Sequence, residues 1–212
     1  MAGKEKFESL QKGSTDTAVI GHYYDDWAKD YDLNIRAWGY QAPEHAAAQL
    51  APYLRDNSRV LDVGCGTGLV ADAIIEHCDC SIIGIDISEA SLGLAERRHR
   101  YTLLRRCDLQ QPPLPFEDNT FDVAISIGVM TYIADPVTLL SDLCRVVQAG
   151  GHVLFTHRDD RWREQNFDDL VFELESRGLW EIINISEPCA YLPGNMDFAD
   201  NIKAIFTLSR IC

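Results

Sequence analysis

No apolar run in this 212-residue chain is long enough for a transmembrane helix. The opening residues, Met1-Ala2-Gly3-Lys4-Glu5-Lys6, lack the apolar core of a secretory signal. These two absences set the expectation of a cytoplasmic protein with no membrane partner. Metal-site spacing is missing too. The seven cysteines, at 65, 78, 80, 107, 144, 189 and 212, form no C-x-x-C pair, and Cys78-x-Cys80 has no second cluster beside it. The six histidines are dispersed. Buried free thiols and no structural metal are therefore expected. Basic charge is scarce, with 19 Lys and Arg against 33 Asp and Glu and a net charge of −14. Such a field repels a phosphate backbone, so no nucleic-acid partner is expected, and a small neutral or cationic molecule suits it better. The basic run Arg97-Arg98-His99-Arg100, with Arg105-Arg106, flanks a predicted helix end and strand start. It reads as a solvated helix C-terminus. There is no internal repeat and no low-complexity segment. What remains is an ordinary globular composition, 46% hydrophobic and 25% charged, at the size of one domain.

The chain is organised around Val60-Leu61-Asp62-Val63-Gly64-Cys65-Gly66-Thr67-Gly68. A β-branched apolar run of this kind suits a buried parallel strand. Three glycines at alternate positions then make a tight turn, and Leu69 to Ile75 continue as a helix. Glycine permits positive φ and leaves no Cβ to hold a ligand away. A helix start adds free N–H groups and a positive dipole end. The turn can hold a nucleoside-bearing ligand with an anionic end. Its spacing is one residue shorter than the dinucleotide pattern G-x-G-x-x-G, which argues against a nicotinamide-dependent oxidoreductase on a similar sheet.

The nonamer resembles motif I of the class I S-adenosylmethionine (SAM) methyltransferases, D-x-G-x-G-x-G. The resemblance extends from Tyr23 to about Ser209. Tyr23-Tyr24-Asp25-Asp26-Trp27-Ala28-Lys29-Asp30-Tyr31-Asp32 is similar to the Y-D-x-x-A-x-x-Y-D element that precedes the core and closes over the cofactor. By periodicity alone it is a helix with Tyr24, Trp27, Ala28 and Tyr31 on one face. The Y-D-D-W-A-x-x-Y-D run followed by W-G-Y-x-A-P looks most like the methyltransferase-like proteins of the Williams–Beuren region. The resemblance implies a Rossmann-like α/β sheet, mostly parallel with one antiparallel strand near the C-terminus, and helices on both faces. It implies SAM as cofactor and S-adenosylhomocysteine as product. A tail over 1–18, capping helices over 19–57 and a core over 58–212 are the expected divisions of a monomer or homodimer.

The remaining elements read in order. Pro43 opens a helix from Glu44 to Leu54, and Asp56-Asn57-Ser58 turn into the first strand. Ser81 to Asp86 form the second strand, and Ser88 caps a helix from Glu89 to His99. An acid at the tip of the second strand can accept from both ribose hydroxyls, which the resemblance assigns to Asp86, with Ile87 beside it. Thr102 to Leu109 form the third strand and its exit, where the resemblance places Asp108 and Leu109 on the adenine. Strand four runs from Val123 to Gly128 through Ile127. Asp135 and Pro136 start a helix with Val137, Leu140, Cys144 and Val147 inward, stopped by Gly150-Gly151. Strand five spans His152 to Thr156, with His157-Arg158 at its tip. Asn166 caps a helix from Phe167 to Arg177. Leu179 to Ser186 and Lys203 to Ser209 are the last strands.

The cofactor-binding set that this implies is Tyr24, Tyr31, Asp62, Gly64, Cys65, Gly66, Gly68, Asp86, Ile87, Asp108, Leu109 and Ile127. The acceptor side is less defined. Tyr132 or His157 is the candidate base for an acceptor hydroxyl or amine. The D/N-P-P-Y/W signature of amino-directed adenine methylation is absent, since Ile127-Gly128-Val129-Met130 stands there. The function expected is methyl transfer to an O, N or S nucleophile of a small molecule. The alternative is a non-catalytic SAM-binding scaffold or sensor.

Overall fold

A computed structural model describes residues 13–196, 198 and 202–212. The helices are α1 (Thr17–Ala37), α2 (Ala42–Leu50), α3 (Leu69–Ile74), α4 (Glu89–Glu96), α5 (Pro136–Val146), α6 (Asp159–Glu164) and α7 (Phe167–Ser176). The strands are β1 (Arg59–Val63), β2 (Ser81–Asp86), β3 (Tyr101–Arg106), β4 (Phe121–Ser126), β5 (Val147–Arg158), β6 (Trp180–Ile185), β7 (Cys189–Ala190) and β8 (Lys203–Ile211). They make one sheet in the order β3-β2-β1-β4-β5-β8-β6, with the short β7 beside β8. Strands β1 to β5 pair in parallel, and β8 inserts antiparallel between β5 and β6. The chain order reverses between β1 and β4, which puts the topological switch point there.

Both faces of the sheet are covered. Successive residues of each strand point to opposite faces, so Leu61 and Val63 join one core and Val60 the other. The first core takes its helical side chains from α5, α6 and α7, among them Leu140, Leu143, Trp162, Phe167 and Leu174. The second takes Ala46, Ala47 and Leu50 from α2, and Val70, Ala71 and Ile74 from α3. Runs that are apolar on both sides therefore read correctly as central parallel strands. A third, smaller cluster seats Trp27 and Ile35 of α1 against Leu192, Phe198 and Ile202.

Several expectations shift. Helix α1 starts at Thr17, because Asp16 accepts from the Ala18 and Val19 amides and caps it. Residues 1–12 of the expected tail lie outside the described residues. Gly150 and Gly151 do not stop a helix. Helix α5 ends at Val146, and β5 begins at once, pairing Val147 with Phe121 across a register shift. Gly151 sits inside that irregular pairing, where a Cβ would stand 2.6 Å from the Asp122 carbonyl oxygen. Asn166 precedes α7 in a left-handed conformation, and its side chain makes no capping bond. Helix α6 was not foreseen. Cys78 and Cys80, expected as free thiols, are joined in a disulfide, their Cα atoms 5.5 Å apart in the turn before β2.

Candidate functional site

An open cleft lies beyond the carboxyl ends of β1, β2 and β4, at the switch point. Helix α1 supplies Thr17, Ile20, Tyr24 and Tyr31 to its wall.

The glycine turn leaves β1 with Gly64 at φ 73° and Gly66 at φ 52°. The Gly64 and Cys65 amides both donate to the Ile85 carbonyl, at 2.8 and 3.0 Å, which ties the turn to β2. A Cβ on Gly64 would meet the Val129 side chain at 2.3 Å. A Cβ on Gly66 would meet nothing within 4 Å, so this glycine faces open cleft. Asp86 ends β2 at 9% exposure. Its two oxygens accept from the Gly66 and Ser88 amides, each at 2.8 Å. Burial raises its pKa, and the Ser88, Gly66 and Ile87 amides oppose that rise.

Asp108 lies past the end of β3. Its carboxylate accepts from Thr17 Oγ1 at 3.2 Å, from the Gln110 amide at 3.0 Å and from Gln111 Nε2 at 2.8 Å. Gln110 ties this corner together. Its Nε2 donates to the Thr15 and Tyr132 carbonyls, and its Oε1 accepts from the Ala134 amide. On the strand β4 side, phenols crowd the cleft. Tyr24 meets Tyr132 edge-on at 5.9 Å between centroids. The Tyr40 and Tyr191 hydroxyls each lie 3.3 Å from where a Cβ on Gly128 would stand. Burial, then the neighbouring phenols, push Tyr24, Tyr31 and Tyr40 well above the usual tyrosine range. Burial raises Tyr132 as well. At neutral pH these are protonated phenols that donate and accept, not phenolates.

Of the fourteen residues expected, Tyr24, Tyr31, Gly64, Gly66, Asp86, Ile87, Asp108, Leu109, Ile127 and Tyr132 line this one cleft. Asp62, Cys65, Gly68 and His157 do not. Asp62 is 1% exposed and accepts from the Tyr101 hydroxyl at 2.7 Å. Burial raises it to about 7. Cys65 is buried with its sulfur against Gly84, and burial raises its thiol pKa. Gly68 packs against Arg98 and Tyr101. His157 needs a correction. It is 2% exposed, its Nε2 is engaged with Gln165 Oε1 at 3.0 Å, and its ring lies 4.6 Å from that of Phe167. Burial lowers it to about 4. It belongs to the core under α6 and α7, not to the cleft, because α6 closes over the tip of β5. Thr17, Ile20, Thr67, Ser91, Gln110 and Ile133 line the cleft unforeseen. Thr17 was hidden by its place in a polar, aperiodic stretch, and Gln110 by having no motif of its own.

Comparison with known proteins agrees with this geometry. The family described as "Methyltransferase domain" matches residues 61–155. Methyltransferase-like protein 27 of Homo sapiens is 34% identical over 175 residues, which cover 80% of this chain and 71% of the relative. An uncharacterized methyltransferase of Schizosaccharomyces pombe is 31% identical over 147 residues, covering 65% of this chain and 52% of that protein. Among solved structures, a TehB-like SAM-dependent methyltransferase from Corynebacterium glutamicum superposes with a TM-score of 0.68 at 19% identity, covering 90% of this chain and 99% of that one. The likeness of fold carries no more than the fold, but the identity to the human relative spans most of both chains. The chain belongs to the class I SAM-dependent methyltransferases.

Proposed function

We propose that the protein transfers the methyl group of SAM to an O, N or S nucleophile of a small molecule, with the cofactor held in the cleft described above. The observation that carries this reading is the convergence of a bare glycine turn and two acids, from three successive strands, on one wall of a single cleft. The residues fit the cofactor. Gly66 presents a cradle that a Cβ would fill, and Asp86 stands beside it with lone pairs for ribose hydroxyls. Asp108 and the Leu109 amide suit the adenine edge, and the Tyr24 and Tyr31 phenols suit the methionyl end. The sulfonium supplies a methyl group that is already activated, so the protein's task is alignment, exclusion of water and binding of charge.

Tyr132 is the acceptor-side residue in this reading. Burial keeps its phenol protonated at neutral pH, edge-on to Tyr24, so it orients the acceptor and does not abstract a proton. The acceptor then brings a nucleophile that needs no protein base, or loses its proton to water.

The test is a metabolite-library screen with SAM, scored by release of S-adenosylhomocysteine. Turnover with one chemical class of small molecule is expected, and turnover only with a protein or nucleic acid would overturn the proposal. Calorimetry with S-adenosylhomocysteine tests the cleft itself. Asp86→Ala deletes charge-assisted bonds worth roughly 1.5–3 kcal/mol each, so affinity is expected to fall at least about tenfold. Equal affinity in the two proteins would remove Asp86 from the site. Tight binding without turnover across the library would favour the scaffold reading.

A further inference from the structure

The basic run that the sequence suggests is solvated contains one residue that is not. Arg98 lies just past the end of α4, and its side chain is 20% exposed. Its stem runs under the glycine turn, where a Cβ on Gly68 would meet Arg98 Cδ at 2.9 Å. Its guanidinium then reaches three separate elements. Nε donates to the carbonyl oxygen of Thr67, Nη1 pairs with Asp72 of α3, and Nη2 pairs with Asp32 of α1. Asp32 closes the circuit, because its other oxygen accepts from Thr67 Oγ1 at 2.5 Å. Thr67 and Gly66 line the cleft, whereas Arg98 does not.

We infer that Arg98 is a positioning residue for the cofactor: it pins the carbonyl of the glycine turn outward and locks α1 onto that turn. The chemistry favours arginine. A planar fork can serve three acceptors in fixed directions, which a single ammonium cannot. With the Thr67 carbonyl held by Nε, the peptides on either side keep their orientation towards the cleft. With Asp32 held by Nη2, α1 keeps Tyr31, one residue earlier, over the same space. One cation thus couples the backbone of the turn to the helix that covers it. Of the neighbouring cations, Arg100 shares Asp72 with Arg98, and Arg106 pairs with Glu89.

The inference rests on the cofactor occupying this cleft, and the experiment separates the two. S-adenosylhomocysteine affinity is measured by calorimetry for the wild type, Arg98→Met, Arg98→Lys, Asp32→Asn and the Arg98→Met/Asp32→Asn double variant, with Asp86→Ala as the marker of the cleft. Hydrogen exchange of residues 23–32 is followed in parallel. Arg98→Met is expected to lower affinity about tenfold, the scale of a lost charge-assisted pair, and to deprotect α1. Arg98→Lys should recover only part of the loss. The effects of Arg98→Met and Asp32→Asn should be less than additive, since both break the same bridge. A purely structural arginine would lower the melting temperature and leave both the affinity of the folded protein and the protection of α1 unchanged. That result overturns the inference. Should Arg98→Met fail to fold, Asp32→Asn decides, since it removes only the α1 arm; wild-type affinity and protection there would also overturn it. Loss of binding in Asp86→Ala with none in the Arg98 and Asp32 variants defeats this inference alone. Retained binding in Asp86→Ala defeats the cleft assignment beneath it.

Discussion

Single atoms decide what the glycine turn tolerates. Gly64 and Gly66 both have positive φ, which costs a residue with a Cβ roughly 1–2 kcal/mol. Their surroundings differ. Gly64→Val drives a side chain into Val129, so that variant is expected to lose stability as well as binding. Gly66→Val projects into open cleft, so it should melt within a few degrees of the wild type yet fail to bind S-adenosylhomocysteine. Circular dichroism melts beside calorimetry check this, and normal binding by folded Gly66→Val would sink it. Asp62 offers a second case. In the fold, burial is the main cause holding it at about 7, against 3.8 as its ordinary value, with the Tyr101 phenol opposing and Asp86 adding to the rise. The folded state therefore holds the proton more tightly than the unfolded one. Its stabilising contribution is complete below about pH 4 and is lost as pH climbs through about 7, by a few kcal/mol at most. Asp62→Asn keeps an acceptor for Tyr101 and cannot ionise. Its stability relative to the wild type should rise between about pH 4 and 8 in urea titrations. Parallel curves would mean that Asp62 is not held neutral. The D-x-G-x-G-x-G pattern pointed to Asp62 as a ligand contact, but a pattern of spacing does not say which side of the turn a side chain takes. Here Tyr101, 39 residues on, donates to its carboxylate, and Asp62 does not line the cleft.

Helix α1 is the element on which sequence and structure complement each other most. Its aromatic period was plain, and Trp27, at 1% exposure, confirms the buried stripe. Its anchors were not legible, because they lie across large separations in sequence. Thr17 donates to Asp108, Asp25 accepts from Ser88 Oγ at 2.6 Å and from the Ala90 amide at 3.1 Å, and Asp32 accepts from Thr67. These residues come about two turns apart and hold α1 to the exit of β3, the start of α4 and the glycine turn. The positions of the central strands and the Asp135 cap were readable because β-branched runs and N-cap chemistry are local, but β5 starts five residues before the His152 expected. The Gly150-Gly151 pair misled, since a glycine marks an unusual backbone without saying whether it belongs to a helix end or a bulge. All three anchors end on elements that also line the cleft, through Asp108, Ser91 and Thr67, so a ligand there should steady the helix. Amides of residues 23–32 are expected to exchange more slowly, by about tenfold, when S-adenosylhomocysteine is added, as differences of 1–2 kcal/mol in local opening would give. Equal protection with and without ligand would make α1 a fixed wall and end the case for closure.

At the scale of the molecule, helix α1 packs against residues close before the last strand, beside the site. Trp27 and Ile35 of α1 pack with Leu192, Phe198 and Ile202, which lie just before β8, and β8 is the antiparallel strand between β5 and β6. Through β5 and β4 that pairing continues to β1, whose turn carries Gly64 and Gly66. The cover of the cleft, its back wall and its glycine turn thus belong to one hydrogen-bonded sheet and the helices packed on it. Ligand binding should therefore stabilise the whole domain and not a part of it. At a hundredfold excess over Kd, binding to the folded state alone adds about 2.7 kcal/mol. For a chain of this length each kcal/mol raises the melting temperature by roughly 2–4 °C, so S-adenosylhomocysteine is expected to raise it by about 5–11 °C. The unfolding curve should keep a single transition, because the cores on the two faces share every central strand. Differential scanning calorimetry over a range of ligand concentrations reads both quantities. A melting temperature indifferent to the ligand would remove the cofactor from this fold, and two transitions of which only one moved would show that the cleft and the β6–β8 edge unfold separately.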